Sequence, residues 1–141
     1  MQDYRKLVVW QAARKLTGSV YRLTTGFPHA EEFGLKVQLR RASVSICSNI
    51  AEGSGRRGDR EFRRFLDVAM GSICELECEL ILCVDLALIS EAVQTTTQRS
   101  LTEVRRMLSG LISSLKVSEP EAPRPRRDSG RKAERLNTGG S

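Results

Sequence analysis

Eight apolar residues, Phe62, Leu66, Ala69, Ile73, Leu76, Leu80, Cys83 and Ala87, succeed one another in unbroken steps of four and three. That spacing draws one seam along an α-helix and holds for more than three heptads. A chain carrying such a seam must provide neighbours for a long amphipathic helix, predicted here over residues 59–89. Phe65, Met70, Cys74, Ile81 and Leu88 widen the apolar face beyond a single seam. That width suits a helix meeting more than one partner.

Three further segments repeat the pattern. Val9, Ala13, Leu16, Val20, Leu23 and Phe27 predict a helix over residues 4–25, stopped by Gly26 and Pro28. Leu35, Leu39, Ala42 and Ile46 give a second over residues 30–52, with Arg41, Ser45, Ser48 and Glu52 on another face. Leu101, Val104, Leu108, Leu111 and Leu115 give a fourth over residues 91–116, with Ser90 as its N-cap. No stretch alternates with period two. The expected fold is all-α: an antiparallel up-down-up-down four-helix bundle spanning residues 1–117. Residues 118–141 carry three of the four prolines, many charges and almost no apolar side chains. Such an Arg/Pro-rich segment has too little to bury and is expected to be a disordered tail.

Gly53-Ser54-Gly55-Arg56-Arg57-Gly58 spells G-x-G-x-x-G. A dinucleotide site needs a strand before that loop and a helix after it. Here the preceding segment is helical by spacing, so the loop reads as a helix–helix turn. Gly53 is expected in a left-handed C-cap, and Gly58 or Asp59 as the next N-cap. Arg56 and Arg57 are then free to meet a polyanion. No cofactor is implied.

Metal and catalytic chemistry find little support. The four cysteines, Cys47, Cys74, Cys78 and Cys83, form no C-x-x-C pair, and His29 is the sole histidine. They are expected as buried apolar side chains. Asn49 continues the series through Ala42 and Ile46. It either caps the turn or joins Arg40 or Arg41 in a polar network with Glu52 that fixes register or a subunit contact.

Charge is uneven. The formal net charge is +6 and the pI about 9.5. Arg5, Lys6, Arg14, Lys15 and Arg22 fall in the first helix, and Arg56, Arg57, Arg60, Arg63 and Arg64 around the glycine turn. Residues 68–90 hold acids and no base. The two basic groups are candidates for tracking a phosphate backbone; the other reading is solvated surface, or complementary ends meeting between subunits. No apolar run is long enough to span a bilayer. The start lacks signal-peptide anatomy, so a cytoplasmic protein without membrane contact is expected.

"QLRRASVSICSNIAEGSGRR", "EFRRFLDVAMGSICELECEL" and "RRMLSGLISSL" together resemble a family of small four-helix-bundle proteins. That family was first noticed in intervening sequences of bacterial large-subunit ribosomal RNA genes. It is similar in structure to the accessory protein of diversity-generating retroelements. The resemblance covers roughly residues 4–116; Cys47, where a proline is expected, and the tail depart from it. It implies a cytoplasmic ring-shaped homopentamer with a basic surface and no enzymatic activity. The retroelement relative binds its reverse transcriptase and nucleic acid. The expected function is a non-enzymatic RNA-binding scaffold. The alternative is a protein-interaction adaptor, for a reverse transcriptase or an RNA-processing enzyme, that does not itself touch RNA.

Overall fold

A computed structural model describes residues 3–117; the expected disordered tail lies outside the described residues. Four α-helices, α1 (Val8–Thr25), α2 (Leu35–Ser54), α3 (Asp59–Asp85) and α4 (Glu91–Ser114), make up the fold. Among the described residues there is no strand. α1 packs on α2, α2 on α3, α3 on α4, and α4 returns to α1, which closes a four-helix bundle. The core follows the seams read from the sequence, except that Ile50 rather than Asn49 continues the α2 seam and Leu23, Leu35, Leu111 and Leu115 are only partly buried. Val9, Ala13, Leu16 and Val20 of α1 meet Leu39, Ala42, Ile46 and Ile50 of α2, the α3 seam from Phe62 to Cys83, and Leu101, Val104 and Leu108 of α4.

Helix ends depart from the expected ones for local reasons. Tyr4–Lys6 is a separate 3-10 turn capped by Asp3, and extended Leu7 divides it from α1. His29–Glu31 is likewise a 3-10 turn, so α2 begins at Leu35 rather than Ala30. α3 stops at Asp85 rather than Ile89. Ala87 takes the left-handed conformation (φ 58°), while the Leu88 amide donates to the Cys83 carbonyl at 2.8 Å and the Ala87 amide to Val84 at 3.0 Å. This is a Schellman stop built on alanine where glycine is the usual residue. Ala87 therefore ends the seam instead of extending it. Ser90 caps α4 by accepting from the Val93 amide, as expected. The threonine-rich start of α4 is helical, with Thr97 buried against the bundle and the Thr96 and Thr97 hydroxyls donating back to the carbonyls of Ala92 and Val93.

The glycine turn is a turn, but Gly53 plays another part in it. α2 runs through Ser54 and is capped by Gly55. Gly58 is the one described glycine with positive φ, 80°, and it is the N-cap of α3. Gly53 is instead a point of close approach between α2 and α3. A Cβ there would lie 2.7 Å from Phe65 Cβ and 2.9 Å from Phe62 Cδ2. Asp59 does not cap α3; its Oδ2 accepts from the Lys116 amide at 2.8 Å and pins the end of α4 to the start of α3.

The left-handed alanine gives a direct test. A Cβ in that conformation costs about 1–2 kcal/mol, part of which glycine gives back as unfolded-state entropy. Ala87→Gly is therefore expected to stabilise the fold by about 0.5–1 kcal/mol, read as a higher denaturant midpoint with unchanged slope.

Candidate nucleic-acid interface

Opposite the core seam of α1, residues 11, 14, 15, 18, 19 and 22 fall on one helical face. They build an open groove of about 680 Å³, lined by Arg5, Trp10, Gln11, Arg14, Lys15, Gly18, Ser19 and Arg22. Four of the five cations expected in this region thus share one surface; Lys6 is exposed but does not line the groove. Trp10 forms the apolar wall. The Tyr4 ring meets it edge-on at 5.0 Å between centroids, and the Arg14 guanidinium lies 5.6 Å from its ring centre. Gly18 makes room for Arg22: a Cβ there would lie 3.2 Å from the Arg22 Nη1, while Nη2 donates to Ser19 Oγ at 3.3 Å. Arg5 is partly neutralised by Asp3 at 3.0 Å, and its hydrogen bonds hold the Asp3 carboxyl below the usual range. Among the described residues Arg14, Lys15 and Arg22 have no carboxylate partner.

The second basic group is organised around Phe65. Arg56 and Arg64 lie 5.0 and 5.6 Å from its ring centre. Arg56 is also paired with Glu52 at 2.9 Å, and Arg64 stands 4.0 Å from Glu61. The expectation that Arg56 and Arg57 are equally free is corrected, since Arg56 is held by an i,i+4 carboxylate and an aromatic face. Arg57 and Arg60 are exposed and Arg63 is half-buried; none has an ion pair among the described residues.

The expected polar network does not form. Asn49 donates to the Ser45 carbonyl at 2.8 Å and to the Ser45 hydroxyl at 3.1 Å. Ser45 shares a 2.8 Å hydrogen bond with Ser72 of α3. Asn49 thus neither caps the turn nor meets an arginine; it steadies a serine pair between α2 and α3. Arg40 turns to α1, donating to Thr24 Oγ1 at 2.9 Å and to the Tyr21 carbonyl at 3.3 Å, over the Tyr21 ring. Glu52 serves Arg56 alone. Cys74 and Cys78 are exposed, contrary to expectation, because a step of four carries both to the outer face of α3. Among the described residues no three His, Cys, Asp or Glu side chains converge as metal ligands.

The acidic half of α3 divides by face. Glu77 accepts from Gln98 at 2.8 Å and Arg105 at 2.9 Å, tying α3 to α4; these bonds, that of Gln98 first, hold its carboxyl below the usual range. Glu79 points to the α2 side and is only 4% exposed, and its Oε2 has no hydrogen-bond partner. Burial, reinforced by the adjoining Glu75 carboxyl, pushes Glu79 up to about 7 against a smaller opposing pull from Arg41. Nothing in the sequence marked its missing partner.

Residues 5–110 match the 23S rRNA-intervening sequence protein family. The chain belongs to that family. The match takes in the basic groove, the glycine turn and nearly all of the four helices. A crystal structure of a protein of unknown function from the S23 ribosomal protein family of Bacteroides thetaiotaomicron is similar to this chain. It superposes with a TM-score of 0.68 at 22% identity, covering 76% of this chain and 100% of the other. At that identity the likeness establishes the shared fold. No curated protein matches the chain. No described helix is long and apolar enough to cross a membrane.

The Glu79 carboxyl makes stability depend on pH. Its folded pKa lies above the ordinary value, so the folded state holds a proton that the unfolded state has released. Stability should therefore fall as pH rises from about 4.5 to 7. Denaturant titrations in about 0.5 M salt, which screens contacts from exposed cations, are expected to show a loss of about 1–3 kcal/mol across that window. Glu79→Gln should abolish most of it.

Proposed function

We propose that this family member is a non-enzymatic scaffold that binds structured RNA through the α1 groove. The observation that carries the reading is the convergence of Arg5, Arg14, Lys15 and Arg22 on one open surface, three of them without a carboxylate partner among the described residues. Arg14 and Lys15 share one turn of α1 and Arg22 follows two turns later on the same face, about 11 Å along the axis, a spacing that suits phosphates along a nucleic-acid backbone. Trp10 is covered by Tyr4 and Arg14 and shapes the wall rather than stacking with a base. The groove therefore favours backbone contact over base readout. Arg57 and Arg60 at the glycine turn are a secondary contact in this reading. The match to a family named for 23S rRNA intervening sequences agrees with an RNA partner.

The bundle in this reading is antiparallel, cytoplasmic and assembled as a ring-shaped homo-oligomer, a pentamer by the family resemblance. Phe33, 92% exposed, and Ile81, 47% exposed, support assembly, since apolar side chains of that size are seldom left open in number on a monomer. The same residues favour the second reading, an adaptor that meets a reverse transcriptase or RNA-processing enzyme without touching RNA. Salt separates the two, because counterion release makes RNA affinity fall steeply with ionic strength.

Arg14→Glu with Lys15→Glu is the decisive variant. At low salt it is expected to weaken RNA binding at least about tenfold and to flatten the log–log salt slope by about 1.5–2. Unchanged affinity on an intact fold would overturn the RNA reading. In sedimentation equilibrium the chain is expected to run above its 15.7 kDa protomer mass at micromolar concentration; a protomer-only profile would refute the assembly.

A further inference from the structure

A second stripe runs along α3 beside its core seam. Val68, Ser72, Glu75, Glu79, Leu82 and Leu86 succeed one another in steps of four and three, so they share one face. Ser72 meets Ser45 of α2, which places this face along the α2–α3 junction. Val68, Leu82 and Leu86 are exposed. In their midst lies Glu79, with its unpartnered Oε2, and Glu75 beside it. Arg41 is the cation nearby, yet it forms no ion pair with either acid. A buried carboxyl without a partner is costly. This face therefore carries two features of an uncovered contact: exposed apolar side chains, and the exposed Glu75 carboxyl, which has no ion pair among the described residues and adjoins the buried acid.

The chain itself holds a segment that fits. Beyond Val117 comes "SEPEAPRPRRDSGRK", rich in arginine and proline and outside the family match, which ends at residue 110. It leaves the bundle where the Lys116 amide is bonded to Asp59, at the first residue of α3. From there Glu79 lies about 30 Å along the helix. Arg126 and Arg127, nine and ten residues past Val117, reach about 28–34 Å as extended chain. Arg131 and Lys132 have slack to spare for crossing the helix end.

We propose that residues 122–132 dock along the α2–α3 face of their own chain, with Arg126 and Arg127 supplying a guanidinium to the exposed Glu75 carboxyl beside buried Glu79. Guanidinium suits the task, because its planar fork can bind one carboxylate in two places. Pro123 and Pro125 favour an extended backbone, which lowers the entropy lost on docking, and offer apolar rings to Val68. Tethering raises the effective concentration to the millimolar range, so modest contacts suffice. The segment needs no core of its own, since α3 provides the surface.

The inference stands apart from the RNA reading, and its test uses no nucleic acid. A nitroxide is attached to exposed Cys78 of the full-length chain carrying Cys74→Ser, and the amide resonances of residues 120–135 are followed at low salt. They are expected to lose most of their intensity, and to recover it in Glu75→Gln/Glu79→Gln and in Arg126→Glu/Arg127→Glu. Full intensity in the parent would overturn the proposal, as would broadening that both double variants leave untouched. Mixing nitroxide-bearing chains with isotope-labelled chains lacking the nitroxide identifies the source; broadening found chiefly in the mixture assigns the face to another copy and overturns docking within one chain. Amide shifts without any label give a second reading: they should move between parent and Glu75→Gln/Glu79→Gln within residues 122–132, and identical shifts would also sink the idea.

Discussion

The close approach of α2 and α3 governs the rest of the molecule. Gly53 lets the Phe62 and Phe65 side chains sit directly on the α2 backbone, where any larger residue would collide. With the helices drawn together, Ser45 meets Ser72, and Asn49 is enlisted to steady that serine. The α3 seam is thereby turned toward α1 and α4, and the remaining helices close around it. A further consequence falls on the outer side of the same junction. Bringing α2 alongside α3 buries Glu79 without furnishing it a partner.

Electrostatics in this fold follow from which cations are already engaged. Arg40 holds α1 to α2, Arg105 holds α4 to α3, and Arg56 is bound to Glu52 and Phe65. Each spends its charge on structure. Arg14, Lys15 and Arg22 stand on the outer face of α1, where among the described residues no carboxylate comes within ion-pair distance. A net charge of +6 therefore overstates what a partner meets at some places and understates it at the groove, where the unpaired charge is concentrated.

Much of the fold was legible because helical periodicity is a local property. Seven of the eight residues in the α3 seam are buried, as are Val9, Ala13, Leu16 and Val20 in α1. The glycine turn was legible too, and so was the Ser90 cap. Partnerships were harder to read. The role of Gly53 depends on rings from the next helix, not on its own backbone angle. Asn49 and Arg40 share a helix yet turn to opposite neighbours, and only packing decides which. Of the candidate binding residues, the sequence showed only that cations are dense in the first helix; that Arg14, Lys15 and Arg22 share a groove with Trp10 and Gly18 came from the shape of the surface.

The sequence by itself determined four amphipathic helices, their order, their connecting turns and the positions able to enter a core. Those follow from rotations of 100° per residue and from the conformational limits of glycine and proline. The tertiary structure alone decided which polar side chains found partners: Arg56 bound, Arg57 open, Glu77 bridged, Glu79 buried without a partner. The physical reason is that a hydrogen bond or ion pair depends on distances of a few ångströms between helices remote in sequence, and periodicity along one helix carries no record of them.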